Sequence, residues 1–292
     1  MDVAQAGRDG AATVGELLRA ARATLPADDA RIDSELLLAH VLGRARSYLF
    51  AHPEAAVAAP HCAAFRALVA RRRDGEPLAY LVGRQEFWSL DIALDGSTLV
   101  PRPETELLVE LALERLGARP ARVLDLGTGS GAIALALASE RPAWQVLGVD
   151  RDPRALALAR ANASRLGLAN ARFAPGDWFA GLAGERFDLV VSNPPYVRDD
   201  DPCLQDPGLR HEPRHALACG ADGLDALRRI AAAAPAHLAA GAWLICEHGA
   251  EQGAAVRALF RAAGLEDVAT RRDLAGHERA TLGRNTGAAD ER

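Results

Sequence analysis

The sequence predicts an α/β fold, in which a doubly wound, mainly parallel seven-stranded sheet follows a small N-terminal helical bundle. Three observations support this. Residues 13–75 show helical periodicity, residues 86–100 alternate like strands, and strands alternate with helices from Ala121 onward. The last pattern is typical of parallel sheets whose two faces are covered by helices. The 292 residues are sufficient for two unequal domains.

Three helices are predicted in the N-terminal bundle. Thr13 and Glu16 form a capping box before the first helix. The second helix spans Ala30–Leu42 and stops at Gly43, and the third spans Pro60–Arg73. The predicted inner positions are Leu17, Leu18 and Ala21 of the first helix and Ile32, Leu36, Leu37 and Val41 of the second. Such apolar stripes indicate that the helices pack on one another.

A β-hairpin is predicted after the bundle and is interpreted as a connector between domains. Residues 86–94 alternate as a strand does, and residues 97–100 can return beside them. Asp95-Gly96 between them is a hairpin turn signal. Pro103 then suits the first turn of a helix that ends near Gly117.

Seven strands are predicted in the remainder, the last two as a pair. They are Arg122–Leu126, Trp144–Val149, Ala171–Ala174, Phe187–Ser192, Ala242–Cys246, Val268–Arg272 and Arg279–Gly283. The helices between them are Ala132–Ser139, Pro153–Leu166, Gly223–Leu238 and Ala254–Ala263. Sheets of this kind bind ligands beyond the carboxyl ends of their strands. The polar loop Val197–Ala216 is predicted to be a mobile substrate loop.

Charge and composition restrict the class of partner. Residues 1–90 hold 11 arginines and 11 acidic side chains, so the net charge of −5 lies on the remaining residues. Proteins that grip duplex nucleic acid usually carry a basic stripe, whereas the run Arg71–Arg73 is interpreted as the solvated end of a helix. Neither a membrane span nor a secretory signal is recognisable. We expect a cytoplasmic monomer without membrane contact or sequence-specific nucleic-acid binding.

No metal site is predicted. The four cysteines lack CxxC spacing and are interpreted as thiols in a reducing compartment. His211 and His215 are four residues apart, but Pro213 between them makes a helical ligand pair unfavourable.

A glycine-rich turn follows the first strand of the sheet and opens a helix. It consists of Gly127, Thr128, Gly129, Ser130 and Gly131. Glycines at such a turn allow a ligand to approach the backbone closely. The GxGxG spacing differs from the GxGxxG of dinucleotide sites and from the P-loop pattern.

Two further strand ends carry candidate binding residues. Asp150 ends the second strand about 20 residues beyond the glycine turn, where an acid accepts hydrogen bonds from ribose hydroxyls. Asp152, before Pro153, fits a helix cap better. After the third strand come Asp177, which can accept from an exocyclic amine, and Trp178, which can cover the face of a base.

The fourth strand ends in the segment Asn193, Pro194, Pro195 and Tyr196. The prolines stiffen the backbone and remove two N–H donors. The segment thus offers two acceptors, the Asn193 side-chain oxygen and the Pro194 carbonyl, to a nitrogen that carries two hydrogens. Tyr196 offers a flat face to a planar group. This combination indicates that an amide or amine nitrogen is held for methylation.

Together these residues resemble the class I methyltransferases that carry an NPPY motif and use S-adenosyl-L-methionine. Further segments narrow the resemblance to the peptide chain release factor N5-glutamine methyltransferases of the HemK/PrmC type. These segments are Glu76–Tyr80, Gly83–Trp88, Val100–Glu106, Glu212–Arg214, Arg272–Gly276 and Thr281–Arg284. The resemblance covers residues 13–285 in order and is weaker in the first helices.

The resemblance implies a reaction and a set of roles. That family methylates the glutamine side-chain amide in the Gly-Gly-Gln loop of release factors, and S-adenosyl-L-homocysteine is the product. Residues Gly127–Gly131, Asp150, Trp178 and Asn193 would contact the cofactor, and Asn193–Tyr196 would hold the glutamine. Residues 13–82 would dock the protein substrate, residues 83–100 would connect, and residues 101–285 would form the catalytic domain. Residues 1–12 and 286–292 would be flexible tails.

Three alternative functions remain open. An adenine N6 or guanine N2 methyltransferase would share the NPPY segment, but the acidity of the catalytic half disfavours it. A glutamine methyltransferase acting on a ribosomal protein is disfavoured by Pro101–Glu106. A binding protein without activity would require an idle NPPY segment.

Overall fold

The computed structural model describes residues 12–287. The described chain divides into two compact units, residues 12–83 with 207–211 and residues 84–206 with 212–287. The predicted tails lie outside the described residues, apart from Ala12, Thr286 and Gly287. Within residues 12–287, no helix combines the length and apolarity needed to cross a membrane.

Five helices form the first unit around one apolar core. They are α1 (Val14–Arg22), α2 (Ala30–Leu42), α3 (Arg46–Ala51), α4 (Ala59–Arg73) and α5 (Leu78–Val82). The predicted capping box is confirmed, since Thr13 Oγ1 accepts from Glu16 N at 3.2 Å and the Glu16 carboxylate accepts from Thr13 N at 2.8 Å. Helix α2 ends as predicted because Gly43 adopts a left-handed conformation with φ of 60°.

The inner face predicted for α2 is wrong at Ile32. That side chain is 42% exposed, whereas Asp33 and Glu35 on the same helix are buried. Glu35 tolerates burial because Arg22 donates to it at 2.8 Å and Arg46 at 2.5 Å. A buried charge requires such partners. They lie outside α2, so the periodicity of α2 alone could not reveal its polar buried face.

The hairpin turns earlier than predicted. Its strands are β1 (Arg84–Phe87) and β2 (Leu90–Ala93), and Trp88 and Ser89 join them. These two residues have φ of 51° and 58°, the geometry that Asn-Gly usually supplies in two-residue turns. Trp88 is held there because its backbone N–H donates to Glu106 at 2.7 Å.

The turn predicted at Asp95-Gly96 is a local bend and joins no strands. Ser97 N donates to Asp95 Oδ1 at 2.8 Å, but residues 97–100 form no strand. Instead, the hairpin is fixed within the second unit by Asn162 of α8. The Asn162 side chain accepts from Ala93 N at 2.9 Å and donates to Ala93 O at 3.1 Å.

A seven-stranded sheet organises the second unit. Its strands are β3 (Arg122–Leu126), β4 (Gln145–Asp150), β5 (Ala171–Pro175), β6 (Phe187–Ser192), β7 (Leu238–Glu247), β8 (Glu266–Arg272) and β9 (Glu278–Arg284). The spatial order is β5-β4-β3-β6-β7-β9-β8, and only the pairs made by β9 are antiparallel. The predicted doubly wound, mainly parallel sheet is therefore confirmed, with its final pair.

Five helices accompany the sheet. They are α6 (Glu106–Leu116), α7 (Ala132–Glu140), α8 (Pro153–Leu166), α9 (Asp225–His237) and α10 (Gly253–Ala262). Strands β4 and β6 lie on opposite sides of β3, so the winding direction reverses there. Such a reversal opens a crevice at the carboxyl ends of the strands, where ligands bind.

The loop over residues 197–216 contains three short 3-10 turns, at Pro202–Gln205, Leu209–His211 and Arg214–Ala216. Val197 N, at its start, donates to Leu217 O at 2.9 Å. The mobility predicted for this loop stays a prediction.

Candidate active site

A cavity of about 260 Å³ lies at the carboxyl ends of the parallel strands in the second unit. Its position matches the crevice expected where the winding reverses. The lining includes residues 97–99, Pro101, Thr105, residues 127–130, residues 150–152, residues 176–178, Asn193, Pro195, residues 215–216, residues 218–219, residues 225–226 and Arg229.

The glycine turn forms one wall of the cavity. Gly127 has φ of 69°, and a Cβ built on it would lie 3.5 Å from Trp178 Cζ3. The turn is fixed because Gly127 N and Thr128 N both donate to Val149 O, at 2.9 and 3.0 Å. Gly131 has a different role. A Cβ there would lie 3.2 Å from Ala159, Leu135 and Phe173, so Gly131 permits close packing and does not line the cavity.

Asp150 is half-buried in the cavity wall at the end of β4. Its carboxylate accepts from Gly129 N at 3.0 Å and from Asp152 N at 2.9 Å. These bonds orient an acceptor that two neighbouring hydroxyls of a ribose could use. Asp152 caps α8 as predicted, accepting from Arg154 N at 2.8 Å. The Arg154 side chain lowers the pKa of Asp152 to about 2.

Trp178 adopts an unusual backbone conformation at the cavity. Its φ is 57°, a left-handed value that costs a bulky residue on the order of 1–3 kcal/mol. Strain of this kind is concentrated at ligand sites. It brings the indole against Gly127. Next to it, the exposed Asp177 pairs with Arg229 at 2.6 Å.

The structure divides the NPPY segment between the cavity and the interior. Asn193 and Pro195 line the cavity, whereas Pro194 and Tyr196 are absent from its lining. Asn193 Nδ2 donates to Thr105 Oγ1 at 3.1 Å. The Tyr196 hydroxyl donates to Glu247 Oε1 at 3.1 Å, and burial raises the pKa of this tyrosine. The flat face predicted for Tyr196 stays a prediction.

Two buried carboxyl groups lie near the cavity. Asp125 is beneath the glycine turn, where its Oδ2 accepts from Thr128 Oγ1 at 2.6 Å. Glu247 ends β7, and its Oε2 accepts from Thr105 Oγ1 at 2.7 Å. Burial raises the pKa of each to about 7, although the hydroxyl partners act in the opposite direction. Shifts of this size are concentrated at functional sites.

Sequence reasoning missed Thr105 and Glu247 as parts of the site. The sequence contained a signal for each of these two residues. Thr105 lies within the family segment Val100–Glu106, and Glu247 follows the predicted strand Ala242–Cys246, beside β6. Polar residues at neighbouring parallel strand ends would be expected to meet.

Within residues 12–287, no cluster of three or more His, Cys, Asp or Glu side chains could hold a metal ion. The cavity presents three groups that suit an organic ligand. Its acid can bind vicinal hydroxyls, its indole can cover a base, and Asn193 can present an amide oxygen to a donor nitrogen.

Two family models match the chain. The PrmC N-terminal domain matches residues 16–83, and the Methyltransferase small domain matches residues 103–205.

Curated proteins of high similarity share one description, release factor glutamine methyltransferase. The protein of Xylella fastidiosa (strain Temecula1) is 54% identical over 258 residues, covering 88% of this chain and 94% of its own length. The Vibrio cholerae protein is 48% identical over 275 residues, covering 93% and 96%. The Escherichia coli K12 protein is 48% identical over 268 residues, covering 91% and 97%.

Solved structures share the fold. A methyltransferase from Pyrococcus furiosus has a TM-score of 0.52 and 20% identity, covering 68% of this chain and 89% of that chain. The T. thermophilus 16S rRNA N2 G1207 methyltransferase, solved with AdoMet and guanosine, has a TM-score of 0.52 and 22% identity. It covers 69% of this chain and 49% of that chain. At these identities the likeness concerns the fold alone.

Proposed function

The chain belongs to the release factor glutamine methyltransferase family, and we propose that it methylates the N5 side-chain amide of a glutamine. The glutamine is that of the Gly-Gly-Gln motif in peptide chain release factors, so the reaction supports translation termination. S-adenosyl-L-methionine is the methyl donor, and S-adenosyl-L-homocysteine is the product. The observation that supports this function most directly is that Asn193 lines the same cavity as the glycine turn, Asp150 and Trp178. Because release factors act with the ribosome, we propose a cytoplasmic location.

The cavity wall fits the cofactor. Gly127 has φ of 69°, a conformation that glycine adopts without strain, and the Trp178 indole lies beside it. Asp150 is already oriented by two backbone N–H groups and would accept from the ribose hydroxyls. When bound, S-adenosyl-L-methionine supplies an electrophilic methyl group. We propose these residues, together with Thr128, Gly129 and Ser130, as its binding site.

The Asn193 side chain and the Pro194 carbonyl would hold the substrate amide. An amide nitrogen is a poor nucleophile because its lone pair is delocalised. Two accepted N–H bonds would fix its plane and add electron density, and the rate gain would come from orientation and electrostatic preorganisation. The methyl C–S bond breaks as the N–C bond forms, and the nitrogen then releases one proton to solvent. The nitrogen is strongly acidic after transfer, so a strong base is not required.

Protein docking is assigned to the N-terminal helices. The PrmC N-terminal domain model matches residues 16–83, and we propose that predicted residues 13–82 dock the release factor. We also propose that the protein acts as a monomer and does not bind specific nucleic-acid sequences.

One transfer assay tests this function. The enzyme is incubated with methyl-labelled S-adenosyl-L-methionine and either a release factor or its Gly-Gly-Gln→Gly-Gly-Ala variant. We expect label on the release factor and none on the variant, because the variant lacks the acceptor amide.

Ribosomal proteins and nucleic acid complete the assay as competing acceptors. Label on ribosomal protein alone would indicate the other glutamine methyltransferase activity, and label on nucleic acid alone would exclude the proposal. The net charge of −5 and the lack of a basic run beyond Arg71–Arg73 disfavour nucleic acid as the acceptor, and the segment Pro101–Glu106 disfavours a ribosomal protein.

A further inference from the structure

A chain of hydrogen bonds runs from Asn193 into the interior of the second unit. Asn193 Nδ2 donates to Thr105 Oγ1 at 3.1 Å, and Thr105 Oγ1 donates to Glu247 Oε2 at 2.7 Å. The second carboxylate oxygen accepts from the Tyr196 hydroxyl at 3.1 Å. Thr105 is 3% exposed and Glu247 is 1% exposed, so water does not compete with these contacts.

The donors and acceptors of this chain permit one direction when Glu247 is ionised. A carboxylate only accepts, and a threonine hydroxyl has one hydrogen to donate. That hydrogen goes to Glu247, so Thr105 can only accept from Asn193. The amide N–H₂ of Asn193 must therefore face Thr105. Its amide oxygen is left for the cavity, and within residues 12–287 no group donates to it.

The orientation of an asparagine amide is normally decided by such a network, since its two ends have nearly the same shape. Orientation is decisive at this site. An oxygen turned toward the cavity accepts from a substrate N–H, whereas an N–H₂ turned toward it would oppose that donor. The chain of hydrogen bonds thus selects the rotamer that can bind an amide substrate.

The position of Glu247 is difficult to explain by stability. Arg279, the nearby cation, is engaged by Asp273 at 3.0 Å, and within the described residues Glu247 forms no ion pair. The charge of Arg279 only partly opposes the rise in the pKa of Glu247 that burial causes, and a buried carboxylate without an ion-pair partner opposes folding. Its two hydroxyl donors point to a role in directing hydrogen bonds.

We propose that Thr105 and Glu247 are positioning residues that hold the Asn193 amide oxygen toward the substrate nitrogen. This inference rests on the proposed function, because it assigns the substrate donor to a glutamine amide. Neither residue needs to touch the substrate for this role, since both act through Asn193.

A threonine series tests the proposal. Thr105→Val keeps the side-chain shape but removes the hydroxyl, and Thr105→Ser restores it. At pH 8, above the pKa of about 7 that burial gives Glu247, we expect Thr105→Val to lower kcat at least about tenfold with little change in the Kd of S-adenosyl-L-methionine. Thr105→Ser should recover most of the loss. Thr270→Val is the matched control, because it removes a half-buried hydroxyl pair with Thr281 in β8 and β9.

A second readout needs no release factor. The side-chain amide signal of Asn193 is followed by NMR in asparagine-labelled enzyme with S-adenosyl-L-homocysteine, and it is assigned by its loss in Asn193→Asp. The signal should move in Thr105→Val and stay in Thr105→Ser and Thr270→Val.

The two readouts separate the possible failures. A wild-type enzyme that leaves release factors unmethylated would refute the proposed function, whatever the NMR shows. A wild-type enzyme that methylates them would refute the positioning role if Thr105→Val kept its rate. An unmoved Asn193 signal in Thr105→Val would also refute that role.

Discussion

The two units each bury a glutamate, and they do so in opposite ways. In the helical unit, Glu35 is fully buried and lies within 3.6 Å of three guanidinium groups, those of Arg22, Arg31 and Arg46. In the sheet unit, Glu247 is just as inaccessible, but its partners are the hydroxyls of Thr105 and Tyr196. The first arrangement neutralises its charge, and the second does not.

The difference separates a structural role from a functional one. A neutralised cluster holds helices together, and its arginines stay partly solvated, with side-chain exposures of 39–63%. A buried carboxylate without an ion-pair partner weakens the fold. Its presence in the sheet unit therefore points to a functional role. Loss of the Glu35 charge should therefore destabilise the protein, whereas substitutions around Glu247 should lower turnover, and loss of the Glu247 charge should not destabilise the protein.

The largest effect is expected at Asn193, the end of the Glu247 hydrogen-bond chain. Asn193→Ala should lower kcat by about 10²–10³-fold, the range seen when one preorganised polar contact is removed from an active site. Cofactor affinity and unfolding midpoint should stay near wild type. Single-turnover methyl transfer and calorimetry measure these quantities. Asn285→Ala is the control, because it removes another side-chain amide, one that bonds only backbone groups: the Leu238 and Ala239 carbonyls and the Gly287 N–H. A near-native rate in Asn193→Ala would contradict the role given to this residue.

The pH dependence of stability gives the next effect. Glu247 has its pKa raised from 4.5 to about 7 by burial, so between these values the folded protein binds more protons than the unfolded chain. Its stabilising contribution is complete below pH 4.5 and is lost as the pH rises through 7, a change of about 3 kcal/mol. Glu247→Gln should flatten the decline in unfolding free energy between pH 5 and 8 in urea titrations. Asp125, raised to about 7 as well, should leave a residual slope. Parallel curves for both proteins would refute this assignment.

Replacement of the other buried glutamate, Glu35, by glutamine should change the unfolding free energy in the opposite direction. Glu35→Gln removes the anion and leaves three guanidinium groups close together, and we expect a loss of about 2 kcal/mol, moderated by their exposure. At pH 8, Glu247→Gln should instead stabilise the protein. Urea unfolding at one pH compares the two variants directly. If both variants shift the midpoint in one direction, the contrast between the two units is wrong.

The smallest effect is expected at the ribose acid. Asp150→Ala should weaken S-adenosyl-L-methionine binding about tenfold, or about 1.4 kcal/mol, and change kcat less at saturating cofactor. Asp188→Ala is a suitable control because Asp188 pairs with Arg119, at 3.0 Å, outside the cavity lining. Unchanged calorimetric affinity in Asp150→Ala would contradict the proposed ribose contact.

Local signals predicted most of the sheet unit. Strands β3 and β6 and helix α8 have the predicted bounds, because apolar runs and a proline N-terminus are local properties. The hairpin turn escaped prediction because Trp88 and Ser89 adopt positive φ, which their residue types do not favour. Ile32 was misplaced because the partners of Glu35 lie 11 and 13 residues away in sequence.

In the site, the sequence predicted the residues that follow strands but not the hydrogen-bond chain behind them. The glycine turn, Asp150, Trp178 and Asn193 all follow strands and meet in one cavity. Thr105 lies 88 residues from Asn193 and 142 residues from Glu247, so no spacing rule links them. The neighbouring strands β6 and β7 bring Asn193 and Glu247 to one sheet edge, and the 3-10 turn Pro103–Thr105 places Thr105 in contact with both.

An Asn193 amide oxygen fixed toward the substrate would also distinguish amides by the number of N–H groups on their nitrogen. An unmodified glutamine amide has two N–H groups, and in the proposed mechanism one would donate to Asn193 and one to the Pro194 carbonyl. After one methyl transfer a single N–H remains, and one acceptor loses its donor. The product would therefore bind less well than the substrate, so the proposed arrangement would favour release after a single methylation and disfavour a second.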